Sequence, residues 1–79
     1  MKKKLSKIRG IITPTDWADD ASIKAVCIAT NDEQEYFVEN SEKGKDFLNM
    51  TEKVVDVVGI ISKNNKGQQQ IRVKNYIFV

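Results

Sequence analysis

Ser22-Ile23-Lys24-Ala25-Val26-Cys27-Ile28-Ala29-Thr30 is followed by Asn31-Asp32-Glu33-Gln34 and then by Glu35-Tyr36-Phe37-Val38-Glu39. Two runs rich in β-branched and aromatic residues flank a short polar link, which is the spelling of a β-hairpin. A turn centred on Asp32-Glu33 pairs Ala29 with Tyr36 and Cys27 with Val38 on a side that carries no charge. That side is expected to enter a core. On the other side Ile28 faces Phe37, Thr30 faces Glu35 and Val26 faces Glu39. Val26, Ile28 and Phe37 then form an apolar strip rimmed by Lys24, Glu35 and Glu39, expected to be an exposed working surface.

The flanking segments also read as strands. From Leu5 to about Thr13, Ile8, Gly10 and Ile12 alternate with Lys7, Arg9 and Ile11, with the glycine marking a bend. Pro14 has no N–H to give a ladder, so the strand is expected to stop near it. Thr15 to Asp20 reads as an acidic loop that holds Trp17. Past the hairpin, Asn40 to Met50 predicts a short helix capped by Asn40 or Ser41, with Phe47, Leu48 and Met50 as its apolar side. Lys53 to Ser62 is dense in valine and isoleucine around Gly59 and predicts a strand, with Asp56 outward and Val55, Val57 and Ile61 inward. Residues 63–68 have turn chemistry. The last strand runs from Gln69 to about Phe78, with Ile71, Val73 and Ile77 on one side and Arg72, Lys74, Tyr76 and Phe78 on the other.

Seventy-nine residues suit one small domain, here residues 5–79, after a flexible basic arm over residues 1–4. The 41% hydrophobic and 30% charged content is that of a globular chain, not of a disordered tail. The basic start lacks the apolar run and cleavage site of a secretory signal, and no stretch reaches the ~18 apolar residues of a membrane span. No membrane and a cytoplasmic location are therefore expected, and a lone cysteine, which forms no internal bridge, fits a reducing compartment. The net charge of +2 is segregated. Residues 1–10 carry five positive charges and no negative one, residues 11–52 three positive and ten negative, and residues 53–79 five positive and one negative. Mutual neutralisation of basic ends and acidic middle within the fold is the expectation.

The order of three strands, a helix and two strands, with Gly10 and Gly59 at the bends and loops at 14–21 and 63–68, resembles an OB-fold. The chain is similar to small stand-alone bacterial OB-type domains of unassigned function. The resemblance implies a mainly β, five-stranded barrel stoppered by one short helix between strands three and four. It also implies a binding surface on the outer face of strands two and three, for single-stranded nucleic acid, oligosaccharide or protein.

No histidine is present, and Cys27 reads as a packed thiol, so no enzyme, no multi-ligand metal site and no cofactor is expected. Asp16, Asp19 and Asp20 lack the spacing of a calcium loop. Single-strand binders join a basic groove to aromatic platforms. Here the candidates are Phe37, the interleaved Arg72, Lys74 and Tyr76, the loop cations Lys63 and Lys66, and Trp17. Against this reading, Glu35 and Glu39 are expected to lie beside Arg72 and Lys74. The chain is thus read as a non-enzymatic binding module for single-stranded nucleic acid. The alternative is protein interaction or homodimerisation through Val26, Ile28 and Phe37.

Overall fold

The computed structural model describes residues 4–79. The expected N-terminal arm lies outside the described residues except for Lys4, which is exposed. Five strands, β1 (Leu5–Trp17), β2 (Ile23–Thr30), β3 (Glu35–Val38), β4 (Val54–Lys63) and β5 (Gln69–Phe78), close into a barrel in the order β1-β2-β3-β5-β4. A short helix α1 (Glu42–Lys45), continued by a 3-10 turn over Asp46–Asn49, lies between β3 and β4 in the chain, as expected. Ser41 caps it, its Oγ accepting from the Gly44 amide at 3.2 Å.

β1 closes the cylinder by pairing twice. Its first half runs antiparallel to β4, from Leu5↔Ile60 to Ile11↔Val54, and its second half to β2, from Gly10↔Thr30 to Trp17↔Ile23. Gly10 belongs to both ladders, at the point where the strand bends. A Cβ there would sit 2.5 Å from the Ala29 carbonyl oxygen and 2.7 Å from Ile28 Cγ2, so no larger residue fits without moving backbone. The circle is completed by a parallel join of β3 to β5 through Phe37↔Gln70 and Val38↔Ile71.

Ile12, Val26, Ile28, Phe47, Val55, Val57, Ile71 and Val73 fill the interior. Phe47, carried by the 3-10 turn, is fully buried and stoppers the barrel end; truncating such a residue to alanine costs ~3–5 kcal/mol.

Three hairpins use the same turn. Ala18, Thr30 and Asn64 each accept a hydrogen bond at their carbonyl from the residue three positions on, and donate their amide to the carbonyl four positions on. The third loop residue is in each case left-handed: Ala21 at φ 68°, Glu33 at 65° and Gly67 at 77°. This is the three-residue hairpin loop.

That loop corrects the expected hairpin register. With residues 31–33 as the loop, Ile28 faces Tyr36, Cys27 faces Phe37 and Ala29 faces Glu35. A slip of one residue sends a strand's alternate side chains to the opposite face. Tyr36 and Val38 pack against the core as expected, and Phe37 stays outside it. Val26 and Ile28, however, are buried core residues and not an exposed strip.

Two further expectations are corrected. β1 continues through Pro14 to Trp17, with register shifts on either side of Asp16. β4 pairs with β1 only as far as Ile11, so Pro14 lies where a missing N–H removes no bond to β4. In β5, Val58 pairs with Asn75 but Gly59 pairs with Val73, which leaves Lys74 as a bulge. The extra residue inverts the alternation beyond it. Tyr76 therefore packs on the core and Ile77, 63% exposed, points out.

Left-handed backbone costs a non-glycine residue ~1–2 kcal/mol. Ala21→Gly and Glu33→Gly are each expected to raise unfolding free energy by up to ~1 kcal/mol, after the added chain entropy of glycine. Gly67→Ala is expected to lower it by ~1 kcal/mol. Urea titration reads all three, with unchanged slope; a destabilising Glu33→Gly would contradict the turn assignment.

Candidate functional site

The outward side of β5 and the loop before it gather most of the candidate cations. Lys63 lies opposite Gln69 at the mouth of the 65–67 turn, which itself holds Lys66. Arg72 lies opposite Ile60, and Lys74 follows on the bulge. All four cations are exposed. The bulge keeps Lys74 at the surface although it breaks the ladder. Phe37, half-buried, sits beside Gln70 on the same outer surface, one outward position from Arg72. Phe37, Arg72 and Lys74 thus share one side of the barrel, with Lys66 in the turn beyond it, while Lys63 and Gln69 continue the inward parity of Ile61 and Ile71 at the barrel's end.

The expected opposing carboxylates behave differently from one another. Glu39 reaches Arg72, with Oε2 3.5 Å from Nε, while the Arg72 side chain remains 55% exposed. At that distance and exposure the pair is worth only ~0–1 kcal/mol. Glu35 turns instead to Cys27, whose Sγ donates to its Oε2 at 3.7 Å.

Tyr76 and Trp17 stand apart from this surface. The Tyr76 ring packs edge-on against Phe47 at 4.8 Å and against Phe78 at 5.4 Å, and its hydroxyl donates to Asp46 Oδ2 at 2.6 Å. That hydrogen bond, with burial, raises its pKa. Tyr76 fastens the 3-10 turn to β5 and does not interleave with Arg72 and Lys74. Trp17, 54% exposed, ends β1 opposite Ile23, beyond the barrel's β1–β4 join.

The protein-contact strip does not exist as expected, because Val26 and Ile28 are inside. The outer side of β2 instead presents Ala25, Cys27 and Ala29 beside Glu35 and Phe37. Cys27 is buried, yet lies outside the interior cluster.

Two features were not foreseen. Arg9 clasps Asp56 with two bonds, Nε to Oδ1 at 2.6 Å and Nη2 to Oδ2 at 2.9 Å. Those bonds hold the Asp56 carboxyl below its ordinary range, against the opposing effect of burial. The sequence held a signal for the pair: Asp56 is the single acid in residues 53–79, and shares outward parity with Arg9. The second feature is an open cleft of about 490 Å³ between the start of β2 with its preceding loop ends, residues 38–40 and the α1 segment, lined among others by Lys24, Val26, Glu39, Lys45 and Leu48. No run of residues announces it, since its walls come from three separate segments.

No family model matches the chain, and no curated protein or solved structure matches it at a level that indicates kinship.

Burial, together with the charge and hydrogen bond of Glu35, pushes the Cys27 thiol up to about 11. An unfolded thiol titrates near ~8.5. The raised value favours the protonated form in the fold. Its stabilising contribution is therefore full below pH ~8.5 and is lost as the pH rises toward 11. Native protein is expected to resist iodoacetamide at neutral pH, while urea-unfolded protein reacts readily. Cys27→Ala is expected to flatten the alkaline fall in stability, and rapid labelling of the native chain would refute the burial of the thiol.

Proposed function

We propose that the chain is a non-enzymatic, OB-fold-like binding module that takes single-stranded nucleic acid along β5. The cations Lys66, Arg72 and Lys74 form a track along the outward side of β5, with Lys63 at the barrel end beside it, and Phe37 offers a ring at its edge. The supporting observation is the balance of charge. In this track the only carboxylate in an ion pair among the described residues is Glu39, at 3.5 Å from Arg72. A phosphate backbone approaching β5 meets cations that are exposed and solvated, which is the arrangement that releases counterions on binding. An unpaired base can stack on the exposed part of Phe37.

A non-enzymatic role is supported by the residues themselves. The chain has no histidine, and its one thiol is held protonated at neutral pH. Among the described residues no helix is long and apolar enough to cross a membrane.

Trp17 lies off the track, so a labelled oligonucleotide is the better reporter. Fluorescence anisotropy with a single-stranded oligonucleotide is expected to show affinity falling steeply with salt. Arg72→Ala and Lys74→Ala are each expected to reduce the log–log salt slope by about 1, and Phe37→Ala to weaken binding about tenfold. Trp17→Ala leaves binding unchanged. Absence of binding at low salt, or binding indifferent to all three substitutions, overturns the assignment.

A further inference from the structure

Residues outside the β5 track form a second surface. On β1 the outward positions Leu5 and Ile11 are 57% and 47% exposed, and Val54, opposite Ile11 on β4, is 38% exposed. The same positions of β1 carry Lys7 and Arg9. Arg9 neutralises Asp56, and Lys7 and Lys53 outweigh Glu52, whose amide donates to the Ile12 carbonyl at the edge of this face, so a net positive charge is left. An apolar patch with a cationic rim, continued past Val54 by exposed Val79, suits a protein partner better than bases.

The complementary surface is on the same strand. Past the last β4 pairing, β1 runs on with β2 into a projecting arm that ends in the 19–21 turn. This arm carries Asp16, Asp19 and Asp20 around Trp17, which is 54% exposed. No cation pairs with any of the three carboxylates among the described residues, where the ion pairs are Arg9–Asp56 and Arg72–Glu39. An exposed tryptophan on an arm whose three aspartates outweigh Lys24 fits an apolar patch flanked by Lys7 and Lys53.

We infer that two copies of this chain associate through β1, the acidic Trp17 arm of each lying on the basic, aliphatic β1–β4 face of the other. The spacing favours a twofold arrangement. Lys7 precedes Thr13 by as many residues as Asp19 follows it, and Arg9 and Trp17 are likewise symmetric about Thr13. Two β1 strands crossing antiparallel near Thr13 set each Lys7 toward the partner's arm and bury Ile11 and Val54 at the centre. One self-complementary patch then serves both subunits, and the contact closes on itself instead of growing into a chain. Pro14 and the irregular register around Asp16 blunt the free edge of β1, so the contact is made by side chains and not by an added ladder. Nothing in this contact depends on the nucleic-acid reading, whose cations lie on β5.

Sedimentation equilibrium of the full chain tests it. A monomer–dimer equilibrium is expected, weakened by salt because it rests on charge. Lys7→Glu and Trp17→Ala are each expected to raise the dissociation constant about tenfold or more. The double variant Lys7→Glu with Asp19→Lys, which exchanges the two charges, is expected to recover the dimer, with circular dichroism unchanged throughout. A chain that stays monomeric at high concentration and low salt overturns the inference. So does a dimer indifferent to salt and to Lys7→Glu, or a double variant no better than Lys7→Glu alone.

Discussion

The turn at residues 31–33 fixes the parity of the barrel. With Glu33 left-handed, Thr30 donates to Gln34 at 2.9 Å and accepts from Glu33 at 3.1 Å, and the facing pairs on β2 and β3 follow without freedom. Val26, Ile28, Tyr36 and Val38 then look inward together. A loop one residue longer would turn one of the two strands over and offer Ala25, Cys27 and Ala29 to the interior. Those small side chains could not fill the space that Val26 and Ile28 occupy against Phe47. The conformation of one exposed glutamate is thus coupled to the packing of the core, because the side-chain period of a strand is two.

Charge is arranged on a larger scale by the same topology. The basic first and last segments become neighbours because β1 and β5 both flank β4. The acidic middle forms the β1–β2 arm, the hairpin and the helix on the remaining circumference. Internal neutralisation is slight: of the ion pairs among the described residues, Arg72–Glu39 alone joins an end to the middle. The small net charge therefore conceals a polar distribution, with cations along β5 and the first half of β1 and carboxylates at the arm. A surface of this kind steers partners by orientation more than by overall attraction.

Much of the architecture was legible because it rests on strong local rules. Alternation in Ile8-Arg9-Gly10-Ile11-Ile12, the valine-rich run around Gly59 and the Ser41 cap all encode their elements within a few residues. Side-chain direction was less legible, because it depends on counting. Asn31 to Glu33 contains no glycine to mark the left-handed position, whereas Gly67 marks it plainly in the equivalent turn at 65–67. The Lys74 bulge carries no local mark either, since its cause is the opposing Gly59 and the closure of the barrel. These two parity shifts account for Val26 and Ile28 being inside and for Tyr76 leaving the cation track. Phe37 and Arg72, which lie before the bulge and on the correctly oriented β3, kept their expected positions.

The parallel seam between β3 and β5 has a mechanical consequence. It is held by two residue pairs, extended by the Glu39 amide donating to Ile71 at 3.0 Å, whereas β1 and β4 join along seven. Fluctuations that unzip the cylinder into an open ribbon break the fewest backbone bonds there, with the β2–β3 hairpin swinging away as a flap. Phe37 stands on one lip of that slit and Arg72 on the other. Any molecule gripping both would act as a staple, so that occupancy of the outer surface would stiffen the whole barrel.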